Sequence, residues 1–194
     1  MRVFPLFRST VRPEWIDYNG HMSEAFYVLV FGHATDALMS GTGLGPGYRE
    51  STGCSLYTVE SHTRFLRDVP EGAHLAIRTR VLGTAARKMR LSHEMYAVSA
   101  PGSGPAEDAA PVATTELLAV HVDQQEGRAA AFPEAVRQRF TELTEPAPDW
   151  AGRSIAAVAG GPQADRTSVA GRTGGSPATG GTAGTGQKSA SETT

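Results

Sequence analysis

The stretch WIDYNGHMSEAFYVLVF, residues 15–31, joins three polar side chains to an almost wholly apolar segment. Asp17, Asn19 and His21 stand at alternate positions just before that segment. An extended backbone would place all three on one face, because side chains alternate along a strand. A helical backbone would still leave Asp17 and His21 about one turn apart. In either geometry the three groups converge, so the stretch predicts a polar cluster at the start of a buried helix.

The segment after this cluster has the features of a long helix. Ser23 suits the N-cap position, and the acidic Glu24 interacts favourably with the dipole of the first turn. The glycine-rich GTGLGPG after Ser40 is expected to end the helix after about five turns. Residues 25–31 are apolar in every direction around the first two turns. We therefore expect other structure to wrap this helix.

Four later segments resemble half-buried strands, in which apolar and polar residues alternate. They are SLYTVESHTRFL at 55–66, HLAIRTRVLG at 74–83, RKMRLSHEMYAV at 87–98 and VATTELLAVHVD at 112–123. The short turns PEG and GTAAR favour a meander of antiparallel neighbours. Residues 3–15, which contain Pro5 and Pro13, suit an edge strand. The pattern predicts an α+β fold with a long central helix wrapped by a curved antiparallel sheet.

The end of the chain divides into a last helix and a tail. FPEAVRQRFTEL, residues 132–143, predicts a closing helix with Pro133 in its first position. Its predicted inner side carries Ala135, Val136, Phe140 and Leu143. We place the folded domain at residues 1–145. Residues 146–194 end in a low-complexity run of Gly, Thr, Ser and Ala, which predicts a disordered tail.

The composition excludes several classes of function. With 18 Lys and Arg against 20 Asp and Glu, the chain has no excess positive charge to neutralise a nucleic acid. Its longest apolar run, residues 25–31, is far shorter than the roughly 20 residues that cross a bilayer. The first residues lack the features of a signal peptide, so we expect a cytoplasmic protein without membrane contacts. The single cysteine cannot form a disulfide framework.

The residue types around the polar cluster suit hydrolysis of an acyl bond. The N-terminus of a helix can polarise a carbonyl oxygen, and Gly20 would let a substrate approach the backbone closely. Asp17 is then the candidate that attacks the carbonyl or activates water. Asn19 could orient a water or the thioester, and His21 could share a proton with Asp17 or cap the helix. The alternative is that these residues only form an ordinary turn and cap.

Residues 3–145 resemble the hotdog-fold thioesterases of the 4-hydroxybenzoyl-CoA thioesterase type. The family pattern, an acid followed by Gly-His and a later Tyr, corresponds here to Asp17, Gly20, His21 and Tyr27. The match implies that Asp17 is the nucleophile or general base, and that Gly20, Met22 and Tyr27 contact an acyl-CoA. It also implies that no cofactor is needed and that the protein forms a homodimer or homotetramer. The spacing of Asp17, Asn19 and His21 also looks like the motif of plant acyl-carrier-protein thioesterases.

A closer similarity is to the thioesterase module that accompanies carnitine dehydrogenases in some bacteria. The stretches PEWIDYNGHM, FGHATDAL and YTVESHTRFL carry this resemblance. It implies a small betainyl-type acyl-CoA as the substrate. This chain carries no dehydrogenase domain, which separates it from the fused form.

Polar residues on the later strands supply further candidates. Glu60 and His62 are predicted to share a face with Thr58, with Glu60 as a second catalytic carboxylate and His62 as a substrate contact. Their alternative role is an interface ion pair. Lys88 could hold CoA phosphates, together with the neighbouring arginines and those of the RTR segment, or belong to a solvated strand edge. His33, His93 and His121 are interpreted as core or surface residues, and no ligand spacing predicts a metal site.

Two other functions remain as hypotheses. A hotdog protein could bind an acyl-CoA or another small ligand without hydrolysing it, because a fold does not fix a function. The presence of Asp17, Asn19 and His21 favours hydrolysis over binding alone. A hotdog dehydratase or hydratase is the third hypothesis, but the Asp-x-x-x-x-His spacing of such enzymes is absent around Asp17.

Overall fold

The computed structural model describes residues 3–156. Its strands are β1 (Phe7–Thr10), β2 (Cys54–Phe65), β3 (His74–Thr84), β4 (Lys88–Val98), β5 (Ala113–Asp123) and β6 (Arg128–Ala129), and its helices are α1 (Glu24–Thr42), α2 (Pro46–Thr52) and α3 (Glu134–Glu142). The four long strands begin and end within one residue of their predicted limits. The short helix α2 was not predicted, since it starts within the glycine-rich run that indicates the end of α1, with Gly45 as its N-cap and Gly47 inside it.

Helix α1 begins at the predicted N-cap, Ser23, and ends two residues beyond Ser40. Gly41 and Thr42 continue the helix, and the Thr42 hydroxyl donates a hydrogen bond to the Leu38 carbonyl at 2.7 Å. The helix stops at Gly43, whose φ of 95° lies in the left-handed region that side chains disfavour. Its 19 residues correspond to the predicted length of about five turns.

The strands of the described chain form a six-stranded antiparallel sheet in the order β1-β3-β4-β5-β2, with β6 paired to β5. The first strand lies at an edge, as its prolines predicted. The predicted hairpin at PEG is wrong, because β2 and β3 do not pair with each other. β2 pairs with β5 at one end of the sheet, whereas β3 lies between β1 and β4 near the other end. The chain between β2 and β3 therefore runs from one edge of the sheet towards the opposite edge, past the segment that precedes α1. Along that path the Met22 amide donates to the Val69 carbonyl at 2.8 Å.

One side of the sheet packs against α1 and forms the core. The buried residues of α1 are Tyr27, Val30, Phe31, Ala34, Thr35, Leu38 and Thr42. The predicted long helix wrapped by an antiparallel sheet is confirmed, but the single chain leaves part of α1 uncovered, because Val28 is 55% exposed and Leu29 is 42% exposed. Tyr57, Val59 and Phe65 of the edge strand β2 are also exposed. The chain thus leaves an apolar helix face and an apolar sheet edge uncovered.

A β-bulge at Val59 changes which residues of β2 face the helix. Thr58 pairs with Ala119, and Glu60 pairs with the next residue along β5, Leu118. Because neighbouring residues on a strand face opposite sides, Thr58 and Glu60 lie on opposite sides of the sheet. The prediction that Glu60 and His62 share a face with Thr58 is therefore wrong. Ser61 and Thr63 take the positions beside α1 instead.

The other side of the sheet is covered by the segment that follows α3. Helix α3 buries Val136 and Phe140 as predicted, but Ala135 is exposed. Pro133 is the N-cap of the helix and not its first helical residue. Trp150 donates to Glu94, so chain beyond residue 145 still packs on the sheet. The compact unit extends to Ile155, whereas the predicted domain boundary is residue 145. The predicted disordered tail, residues 146–194, falls from residue 157 onward outside the described residues.

Candidate active site

The motif before α1 forms a tight turn that differs from both geometries considered above. The Asp17 amide donates to the His21 carbonyl at 2.9 Å, and the Gly20 amide donates to the Asp17 carbonyl at 3.0 Å. Ile16 and Met22 form an antiparallel bridge that closes the turn. Gly20 has a φ of 82°, in the left-handed region, and no atom lies within 4 Å of the position that a Cβ would take. Backbone conformation, rather than close packing, accounts for glycine at this position in the folded chain.

Asp17 and Asn19 lie together within this turn. The Asn19 amide donates to Asp17 Oδ1 at 2.8 Å, and Asn19 Nδ2 lies 3.5 Å from Asp17 Oδ2. These two contacts fix the orientation of the carboxylate, as in an Asx turn. Asp17 is half-buried and Asn19 is exposed, so a substrate has access to both.

His21 contacts an acid that the sequence did not single out. Its Nε2 atom lies 2.9 Å from Oδ2 of Asp68, on the loop that follows β2. The predicted proton sharing between His21 and Asp17 is not formed, because the turn directs the imidazole towards this loop. No motif pointed to Asp68, since its position depends on the crossing of the chain between β2 and β3.

Tyr27 lies on the first turns of α1, next to the same loop. Its side chain is 3% exposed, and its hydroxyl donates to the Arg67 carbonyl at 3.3 Å. Burial raises the pKa of Tyr27, and the negative charges of Asp68 and Asp17 raise it further. The phenol therefore remains protonated and acts as a donor. Its ring packs edge-on against Phe65, with the centroids 5.3 Å apart.

The first turn of α1 opens towards this cluster. Ser23 has an extended backbone, and its hydroxyl accepts no capping hydrogen bond from the helix. The first N–H groups of a helix have no partner within the helix, and they carry part of its positive dipole end. A carbonyl oxygen bound there would meet donors that the protein's own N-cap side chain has not used.

A groove of about 240 Å³ runs along the uncovered face of α1, beside β2 and β5. Its walls combine apolar residues with small hydroxyl side chains: Val28, Phe31, Gly32, Thr35, Asp36, Met39, Leu56, Thr58, Ser61, Thr63, Thr115 and Leu117. Thr63 and Thr115 hydrogen bond to each other across the strands at 2.9 Å. The sequence did not identify Ser61 and Thr63 as groove residues, because the bulge that turns them towards α1 leaves no mark in the alternation of polar and apolar residues.

Several predicted site residues lie elsewhere. Met22 is 4% exposed and packs within the hydrophobic core, so its predicted contact with substrate is wrong. Glu60 and His62 line a separate cleft of about 320 Å³, on the side of the sheet that faces away from α1. Within one chain the sheet therefore separates them from Asp17, and their predicted role at a site shared between two subunits stays a prediction. Arg90, on the wall of this cleft, forms an ion pair with Glu116.

The predicted phosphate-binding cations are only partly free. Lys88 and Arg87 are exposed at the start of β4, so Lys88 keeps its proposed role as a candidate. The two arginines of RTR do not keep that role, because both contact the buried Glu145, Arg78 at 2.7 Å and Arg80 at 3.3 Å. These two arginines hold the chain after α3 against the sheet.

His93 and His121 are core residues, one of the two structural roles predicted for them. His93 is fully buried between the hydroxyls of Thr79 and Thr35, at 2.9 and 3.0 Å, and burial lowers its pKa to about 3. His121 is 1% exposed and contacts the Tyr48 hydroxyl at 3.0 Å. Among residues 3–156, no three His, Cys, Asp or Glu side chains are grouped so as to hold a metal ion. No helix in this part of the chain is long and apolar enough to span a membrane.

Comparison with known proteins connects this site to a family. Residues 11–140 match the model of the thioesterase-like superfamily. A betainyl-CoA thioesterase of Pseudomonas aeruginosa is 40% identical over 159 residues, which cover 79% of this chain and 95% of that protein. An L-carnitine dehydrogenase/betainyl-CoA thioesterase of Agrobacterium fabrum is 41% identical over 157 residues. That alignment covers 79% of this chain but only 30% of the longer, bifunctional protein.

The fold is also that of solved structures. A Staphylococcus aureus protein, crystallised in complex with CoA, superimposes with a TM-score of 0.69 over 81% of this chain and 99% of its own. At 23% identity this likeness establishes the fold alone. It agrees with the long helix α1 packed on an antiparallel sheet, and the family match adds the chemistry. The chain belongs to the thioesterase-like superfamily and is an acyl-CoA thioesterase with the hotdog fold.

Proposed function

We propose that this chain hydrolyses a small betainyl-type acyl-CoA, with Asp17 as the catalytic carboxylate. The proposed substrate rests on the 40% identity to a betainyl-CoA thioesterase along 95% of that protein's length. The assignment of Asp17 is supported by its position in a turn that directly precedes the open first turn of α1. No other carboxylate in the described chain belongs to that turn.

The geometry supports a simple division of roles. The thioester carbonyl oxygen binds near the first N–H groups of α1, which stabilise the negative charge that develops there. The exposed backbone at Gly20 gives the substrate room to approach. Asn19 holds the Asp17 carboxylate in place and orients the attacking group. The Tyr27 hydroxyl keeps the loop after β2 against the helix, which preserves the shape of the site.

Two routes through Asp17 balance the reaction. As a general base, Asp17 accepts a proton from water, whose oxygen bonds to the carbonyl carbon while the carbon–sulfur bond breaks. The proton then passes to the departing CoA thiolate, leaving a free acid and CoA. As a nucleophile, Asp17 displaces the thiolate and forms an anhydride, which water hydrolyses in a second step. Neither route needs a cofactor.

We further propose that the active protein is a homodimer or homotetramer. The uncovered face of α1, with Val28 and Leu29, and the open edge of β2 lie on the side that carries the groove. A second copy paired on this side would cover apolar surface and would enclose the groove. Lys88 is kept as a candidate contact for CoA phosphates, and the cytoplasmic location remains a prediction.

The test measures free-thiol release from short, branched, aromatic, long and betainyl acyl-CoAs. Asp17→Asn should lower kcat/KM on the preferred substrate by about a hundredfold or more, or about 2.7 kcal/mol of barrier. Asp108→Asn makes the same chemical change in an exposed loop and should leave the rate unchanged. Equal rates in wild type and Asp17→Asn would refute the catalytic assignment. Turnover of other acyl-CoAs without betainyl-CoA would refute the substrate alone.

A further inference from the structure

We infer that Asp68 recognises the positive charge of the acyl group and makes the enzyme prefer a cationic acyl-CoA over a neutral one of the same shape. This inference rests on the proposed substrate, and it adds a specificity residue that the family motif does not contain. Asp68 lies on the loop between β2 and β3, far along the chain from the motif at residues 15–31.

Hydrogen bonds on both sides hold Asp68 next to the catalytic turn. Its Oδ2 atom lies 2.9 Å from Nε2 of His21. The next residue, Val69, accepts from the Met22 amide at 2.8 Å, and the preceding residue, Arg67, accepts from the Tyr27 hydroxyl at 3.3 Å. The loop is therefore tied to both ends of the segment that carries His21 and Tyr27. Asp68 occupies a fixed place in this site although its side chain is 68% exposed.

The chemistry of a betainyl group limits where its charge can lie. One methylene separates the quaternary nitrogen from the carbonyl carbon, so the two atoms are about 2.5 Å apart. A carbonyl bound at the start of α1 thus brings the charge to the same end of the helix. Asp36, the carboxylate in the groove, lies about 18 Å further along α1, because a helix rises 1.5 Å per residue. That distance excludes Asp36 of the same chain as the partner of the charge.

Asp68 has the electrostatic capacity for this role. The proposed hydrolysis employs one carboxylate, Asp17, and the 2.9 Å contact of His21 is with Oδ2 of Asp68, on a side chain that is 68% exposed to a ligand. The neighbouring Arg67 donates to the Ala110 carbonyl, and no ion pair joins it to Asp68 among the described residues. The negative charges of Asp68 and Asp17 both raise the pKa of Tyr27, so both carboxylates act on the region around its hydroxyl.

An aromatic surface beside these carboxylates completes the arrangement. Phe65 packs against the Tyr27 ring and remains 47% exposed. Quaternary ammonium groups bind favourably against aromatic rings and near carboxylates, because the negative face of the ring and the carboxylate charge both attract a cation. An exposed ring and an exposed carboxylate, both held around Tyr27, fit such a group better than a neutral alkyl chain.

The experiment compares two thioesters of nearly identical shape, betainyl-CoA and 3,3-dimethylbutanoyl-CoA, in which a carbon replaces the quaternary nitrogen. Asp68→Asn should lower kcat/KM for betainyl-CoA about tenfold or more and change that for the neutral analogue less than about threefold. Asp68→Glu, which keeps the charge, should retain most of the preference. Glu71→Gln removes an exposed acid from the same loop and should change neither rate.

The possible outcomes separate this inference from the proposed function. Equal losses on both thioesters would make Asp68 a positioning residue for His21 and would overturn the inference. A preference abolished by Glu24→Gln but kept in Asp68→Asn would assign the charge to the first turn of α1, with the same consequence. In both cases wild-type turnover of betainyl-CoA would leave the proposed function intact. Absence of that turnover would overturn the proposed substrate and this inference together.

Discussion

Thr58 and Glu60 are two residues apart on β2, yet they lie on opposite sides of the sheet. The bulge at Val59 pairs them with consecutive residues of β5, Ala119 and Leu118. Thr58 consequently lines the groove beside α1, whereas Glu60 lines the cleft on the far side. Within one chain Glu60 therefore lies away from the groove, and the turn before α1 is the position that we propose for the hydrolytic carboxylate.

We therefore expect Glu60→Gln to retain thioesterase activity. Its kcat should stay within about threefold of wild type, since Glu60 and Asp17 are separated by the sheet within one chain. The measurement is steady-state thiol release, with Asp17→Asn as the inactive comparison. A loss above about tenfold would mean that Glu60 acts on the site of another subunit, and it would contradict this prediction.

The conformation of Gly20 gives a prediction about stability. Gly20→Ala adds a Cβ at a φ of 82°, which costs an L-residue roughly 1 to 2 kcal/mol although no atom would clash. Urea denaturation should show a loss of that size, and kcat should fall if the turn opens. Gly47→Ala, in the exposed helix α2, also meets no atom and should be neutral or stabilising. Equal effects of the two variants would show that the turn at Gly20 is not strained.

Much of this fold follows from local pattern, and the failures share one cause. The limits of the long strands follow from alternation along HLAIRTRVLG and its neighbours, and the start of α1 follows from Ser23. The partner of β2, the bulge at Val59 and the contact of Asp68 with His21 depend on pairing between distant segments. An amphipathic pattern identifies apolar residues, but it does not say whether the same chain or a second one covers Val28 and Leu29.

The uncovered apolar face supplies a test of assembly. Leu29→Glu places a charge on the exposed face of α1 and should reduce the mass in solution to that of the 20.4 kDa chain. Light scattering coupled to size exclusion measures this mass directly. Ile155→Glu changes another exposed aliphatic residue, near the end of the described chain, and should leave the assembly unchanged. A wild-type protein that is already monomeric would refute the proposed oligomer.

The buried His93 predicts how stability depends on pH. Its pKa is about 3 in the folded protein, below the ordinary value of 6.5, so the unfolded chain binds the additional proton between those values. The stability associated with neutral His93 is complete above about pH 6.5 and is lost as the pH falls towards 3, by up to about 1.4 kcal/mol per pH unit.

Urea unfolding between pH 7 and 4 measures this slope. His93→Gln should be less stable at pH 7, because the contacts with Thr35 and Thr79 change, but its stability should fall less steeply with acid. The exposed His33→Gln should keep the wild-type slope. Parallel curves for wild type and His93→Gln would contradict the assignment of the slope to this residue.

The chain after α3 contributes to stability through contacts on the outer side of the sheet. Trp150 donates to Glu94 at 3.1 Å, and the Gly152 amide donates to Glu116. A chain that ends at Glu145 loses both hydrogen bonds and exposes the part of the sheet around Glu94 that Trp150 contacts. A chain that ends at Ala156 keeps both hydrogen bonds. We expect the shorter chain to be less stable by about 2 kcal/mol, from the lost burial and hydrogen bonds. Chemical denaturation of the two truncated proteins measures this difference. Equal stability would place the end of the folded domain at residue 145, because the contacts of Trp150 and Gly152 would then contribute nothing to folding.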